Sequence, residues 1–206
     1  MPKSSSRDRQ PHAPSPEARG RWGGSPRVRR LALWGGIALL AAAGGGLWWQ
    51  SRTLESKFLD LAAAGRGALT RVESPTDRGA GHLSPGQSTS YPDRFPTSGV
   101  HTPDWVTPRF YAEPQSPPML VHALEHGNVV IYYDRPGDVA LSALRAWAGL
   151  YDDQWGGVIA IPAPGLGPAV VLTAWRNRLR LEAFDAAAAA AFVDAYRGRG
   201  PEHPIR

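Results

Sequence analysis

Residues 31–49, LALWGGIALLAAAGGGLWW, carry no charged side chain. As a helix, at about 1.5 Å per residue, the run nearly spans a hydrocarbon core of roughly 30 Å. It therefore divides the chain, and any water-soluble domain must be built from the residues C-terminal to it. Trp34, Trp48 and Trp49 stand near its ends, where indole rings favour a membrane interface. Arg27, Arg29 and Arg30 precede it, so the positive-inside bias predicts a cytoplasmic N-terminus and residues 50–206 outside the cytoplasm. The Gly- and Ala-rich middle is weak for insertion. A cleavable signal peptide is the rival, but the basic arm is long for such a leader and no crisp small-x-small site comes after the run. The sequence thus predicts a single-pass anchor in the inner or plasma membrane.

Charge supports that division. Of 23 Lys/Arg, eight fall in residues 1–30, as do two of 18 Asp/Glu; the other 176 residues hold 15 basic against 16 acidic side chains. The basic excess is a short arm and not a face of a folded domain, which argues against nucleic acid as a partner. The absence of cysteine excludes disulfides, thiolate-ligated zinc and thiol chemistry.

Residues 1–30 read as a disordered basic cytoplasmic arm and 31–49 as the transmembrane anchor. Residues 50–89 read as stalk and linker, and 90–202 as an extracytoplasmic domain. SRTLESKFLDLAAAG (51–65) has helical spacing, with Leu54, Phe58 and Leu61 on one face. Residues 65–118 are dense in Gly, Pro, Ser and Thr. Tyr91, Phe95, Trp105, Phe110 and Tyr111 mark the second half as ordered irregular structure wrapping a domain. From 119 the pattern becomes regular. Strands are expected at 119–126, 129–134, 157–164 and 169–182, the last breaking near Asn177. Helices are expected after Asp138 and between Asp185 and Gly198, each aspartate serving as a cap. The order predicts an α+β fold: one compact ββαββα-type domain with a long irregular N-terminal wrap, preceded by one transmembrane helix.

Within this pattern lies VHALEHG, residues 121–127. As a helix it spells H-x-x-E-H, placing His122 and His126 on one face with Glu125 beside them as ligand or base. The run is short and lies between ProPro and GlyAsn, a hairpin-type signal, so the window predicts a strand. A strand holds the two histidines about 13 Å apart at their Cα atoms, which weakens a shared metal site unless the backbone bends at Gly127. His101 or His82, from the irregular segment, can then join one of them. The alternative is a set of buried histidines satisfied by backbone carbonyls. Met119 is a candidate soft ligand or a core filler. Ser98, in TSGVH, lacks the strand–turn–helix context of a nucleophilic serine.

TyrPro at 91–92, PTSGVH (96–101), Trp105, Tyr111, VHALEHGNVVIYYD (121–134), TAW (173–175) and RGRGPE (197–202) together resemble the bacterial DUF3105 family. The resemblance covers about residues 90–202. It implies the same architecture of short cytoplasmic arm, single anchor and exported domain, and it implies no activity.

Three functions are expected. The first is a membrane-anchored extracytoplasmic domain binding a transition metal, copper or zinc, through His101, His122 and His126 with Glu125. The second is a non-catalytic cell-envelope interaction module with structural histidines and an envelope protein as partner. The third is a metal-dependent hydrolase with Glu125 as base.

Overall fold

The computed structural model describes residues 26–206. The chain falls into two units, Met1–Gly46 and Leu47–Arg206. Helix α1 runs Pro26–Ala64. Most of the expected N-terminal arm, residues 1–25, lies outside the described residues, as do the side chains at 31, 32, 38, 39, 41–43 and 47 of the expected anchor. Among the described residues no helix is long and apolar enough to cross a membrane. Glycines at 35, 36, 44, 45 and 46 dilute the apolarity of this stretch.

In the second unit, the end of α1 contributes Phe58 and Ala62 to the core with Leu61 packed against it, whereas Leu54, expected on the same face, is exposed. A 3-10 turn, Arg66–Arg71, comes next. The expected linker carries a three-residue strand, β1 (Ala80–His82), which pairs in parallel with a second one in the expected wrap, β2 (Gly99–His101), so the ordered domain begins before residue 90. Helix α2 spans Pro117–Glu125, then come β3 (Val129–Tyr133), α3 (Asp138–Leu150), β4 (Val158–Pro162), β5 (Val170–Ala174), β6 (Asn177–Leu181) and α4 (Ala186–Tyr196).

Strands β3 to β6 form one sheet in the order β4-β3-β5-β6. β3 and β4 are parallel, joined through α3, while β3–β5 and β5–β6 are antiparallel. The hairpin break falls at Trp175–Arg176, with Arg176 at a φ of 59°. Alternation along β3 explains the layering. Val129, Ile131 and Tyr133 face one core with Leu144 and Trp147 of α3, Phe192 of α4 and Phe58 of α1. Val130 and Tyr132 face a second core, closed by Leu120, Ala123 and Leu124 of α2 and by Val106 and Tyr111 of the wrap. At β3, β4 and β5 both faces of the sheet are covered and the strands read as nearly continuous apolar runs, whereas β6 at the edge alternates and leaves Arg180 exposed.

The architecture is α+β, but the first expected strand is the helix α2 and the last expected strand is the hairpin β5–β6, so the order within the regular domain is αβαβββα. Two features decide this. Pro117 and Pro118 occupy the first helical positions, where a missing N–H costs nothing. At the other end, Gly127 N–H donates to Leu124 O at 2.9 Å and Asn128 N–H to Ala123 O at 3.0 Å. With Gly127 at a φ of 92°, this is a Schellman stop. The GlyAsn pair that signals a hairpin ends a helix here, because both motifs need a residue at positive φ. At the start of α3 the cap position is Gly137, and Asp138 lies in the first turn. Asp185 caps α4 as expected, its carboxylate accepting from Ala188 N–H at 3.0 Å.

Candidate metal centre

The helical form of VHALEHG places His122, Glu125 and His126 three and four residues apart on one face of α2. The parallel register of the small sheet sets His82 directly beside His101. β2 packs on α2, and three imidazoles meet in a triangle. Ring centroids are 5.0 Å apart for His82–His101, 4.8 Å for His82–His122 and 4.9 Å for His101–His122. Glu125 closes the group, with Oε2 2.9 Å from His101 Nε2.

Hydrogen bonding fixes the tautomers. His101 Nδ1 lies 2.8 Å from Gly99 O, and His122 Nδ1 lies 2.9 Å from Thr102 O. A carbonyl oxygen only accepts, so in each ring Nδ1 carries a proton and Nε2 is the atom left to ligate. His101 Nε2 is buried without a hydrogen-bond partner, because Glu125 approaches it off the direction such a bond requires. Backbone carbonyls that orient imidazoles from behind are the usual outer partners of metal-ligating histidine. Burial pushes the His122 pKa below its ordinary value, and the neighbouring His101 and His82 push it further the same way. The ring is held neutral, the form that ligates metal.

One potential ligand atom from each of His82, His101, His122 and Glu125 lies within 4.8 Å of the others. Bonds of about 2.0–2.1 Å to a tetrahedral ion need ligand atoms roughly 3.3 Å apart, so small rotamer adjustments suffice. His82 is exposed while His101 and His122 are buried, so the group opens to solvent along the His82 side. These residues could hold a metal ion.

A second group lies one turn along α2. His122, His126 and Glu202 also bring ligand atoms within 4.8 Å of one another. Glu202 Oε2 is 3.0 Å from His126 Nε2 and 3.7 Å from His122 Nε2. Glu202 is delivered by the C-terminal tail, which crosses the end of α2. Gly198 N–H donates to Gly127 O at 2.8 Å and Glu202 N–H to Glu125 O at 3.3 Å. The crossing is close enough that a Cβ on Gly200 would overlap Glu125 O. Trp105 and Trp155 flank His126, with ring centroids 4.7 and 4.3 Å away.

Of the residues singled out in sequence, His101, His122 and Glu125 come together, and His82 joins them. His126 stands in the second group, shared through His122. Met119 packs against the second core. Ser98 is buried, with its hydroxyl oxygen accepting from Arg78 N–H at 2.9 Å. Glu202 carries no sequence signal of its own; the pairing of Gly127 with RGRG (197–200) is the available clue, since two glycines permit two backbones to touch.

Residues 82–205 match the family described as "Protein of unknown function (DUF3105)". The chain belongs to the DUF3105 family. The matched span begins at His82 and passes Glu202, so every residue of both groups lies within it. No curated protein and no solved structure matches the chain. What this DUF3105 domain does must therefore be argued from its own residues.

Proposed function

We propose that the domain binds one transition-metal ion, zinc or copper, through His82, His101, His122 and Glu125. The observation that carries this reading is the pair of buried imidazoles, His101 and His122. Each donates from Nδ1 to a backbone carbonyl, which leaves Nε2 as the atom to ligate, and one ligand atom of each lies within 4.8 Å of a Glu125 carboxylate oxygen. An unpaired buried polar atom costs about 1–3 kcal/mol, which a bound ion would recover. A set of neutral imidazoles and a carboxylate without thiolate suits zinc or copper(II). Glu125 is engaged beside His101, which favours a ligand role over that of a free base.

The apolar run at 31–49 and the arginines before it support placing this domain outside the cytoplasm on a membrane anchor. Protease added to intact cells should then degrade the C-terminal domain. Protection of that domain until the membrane is broken would refute the placement.

Equilibrium dialysis of the full-length protein in detergent against zinc and copper(II) tests the binding. One ion per chain is expected, with affinity at least about tenfold lower in His101→Gln. A metal-free wild type that is folded by circular dichroism would leave the histidines structural and favour the interaction-module reading.

A further inference from the structure

His122 belongs to both groups of potential ligands. Its Nδ1 proton is committed to Thr102 O, so it has one lone pair to give. His126 is buried, its Nδ1 faces the backbone of Gln154 without a well-aligned hydrogen bond, and its Nε2 lies 3.0 Å from the tail carboxylate of Glu202. Nothing in the first group explains why a second imidazole should be buried and left incompletely paired one turn further along α2.

We propose that the domain has two alternative positions for one metal ion, an inner one at His82, His101, His122 and Glu125 and an outer one at His126 and Glu202, with His122 common to both. This rests on the metal-binding reading above. A single His122 lone pair cannot serve two ions, so the positions exclude each other and the chain holds one ion at a time. The outer position is made partly by the C-terminal tail: residues 201–206 are exposed, and the Glu202 side chain is 41% exposed against 13% for Glu125. Trp105 and Trp155 wall the outer position on two sides. The inner position offers three imidazoles and the outer two, so the inner one is the tighter. An ion leaving the inner position can remain bound through His122 while it acquires His126 and Glu202. The arrangement is that of a step toward release to, or capture from, another ligand at the tail.

Two exclusive positions make affinities combine in a way that one site cannot. The constants add, so deleting the weaker position is nearly silent until the stronger has been damaged. The variants use exposed residues to keep the fold intact: His82→Ala for the inner position and Glu202→Gln for the outer. Copper(II) affinity is read by competition with a chelating dye on the full-length protein, and stoichiometry by elemental analysis. The wild type should hold one ion. Glu202→Gln should weaken it less than about twofold, His82→Ala about tenfold, and adding Glu202→Gln to His82→Ala a further five- to tenfold, a non-additive pattern.

Equal effects of Glu202→Gln in both backgrounds would mean a single site and overturn the proposal. No effect in either background would remove the outer position. Two ions in the wild type would show independent sites and also overturn it. A wild type that takes up no copper and no zinc would defeat the metal reading itself, a result distinct from the other three.

Discussion

Gly200→Ala probes how the tail is seated across α2. The added methyl would overlap Glu125 O and Gly127 N and stand 2.6 Å from His126 C. All three are backbone atoms near the Schellman stop, so no side chain can swing aside. Either the end of α2 deforms or the tail lifts. Lifting breaks the Gly198–Gly127 and Glu202–Glu125 backbone hydrogen bonds and withdraws Glu202 from His126. Overpacking of this kind costs about 1–3 kcal/mol. For a domain of this size that is a fall of about 2–12 °C in melting temperature. Gly67→Ala is the control, because a Cβ there meets nothing within 4 Å. Its effect should be neutral, or stabilising by about 0.4–1 kcal/mol through the unfolded state. Differential scanning fluorimetry on both variants decides the matter. A Gly200→Ala protein that melts with the wild type would refute the close crossing of tail and helix, and with it the delivery of Glu202.

Three further outcomes are expected. Burial lowers the pKa of His122 and of His126, so between those lowered values and about 6.5 the unfolded chain binds protons that the folded chain does not. Stability of the metal-free protein should therefore fall as pH drops below about 6.5, and urea midpoints at pH 7.5 and 5.5 should show a smaller fall in a His122→Gln, His126→Gln variant. Asn128 is fully buried and its Oδ1 accepts from Gly157 N–H at 2.8 Å, so Asn128→Ala orphans a buried donor and should cost about 1–3 kcal/mol in chemical denaturation. Asp185→Ala removes the cap of α4 and should cost about 1 kcal/mol by the same measurement; no loss would contradict the capping bond.

The sheet and two of its helices were legible because each was written locally. VVIYY is a buried apolar run, Asn177 opens the second strand of a hairpin, and Asp185 and Gly198 bracket α4. VHALEH is ambiguous in sequence because it is short enough for a strand and ends in a pair that serves two stop motifs. Pro117 and Pro118 at its start and the Schellman stop at Gly127 make it a helix, and α2 packs on β2 and β3. The histidine cluster was legible as composition but not as geometry. His82 and His101 meet through a three-residue parallel pairing, and so short a strand leaves almost no periodic trace. Glu202 reaches the site through backbone contacts at Gly127 and Gly200, where the informative feature is the lack of a side chain.

X-ray absorption at the metal edge of the full-length protein, loaded with zinc and freed of excess, reads the ligand set itself. A first shell of about four N/O ligands near 2.0–2.1 Å is expected, with the outer-ring scattering of three imidazoles. Replacing His82 and His101 by alanine should reduce that imidazole signal. A shell of oxygen scatterers alone, or a protein that loses its zinc on desalting, would contradict a metal held by His82, His101, His122 and Glu125.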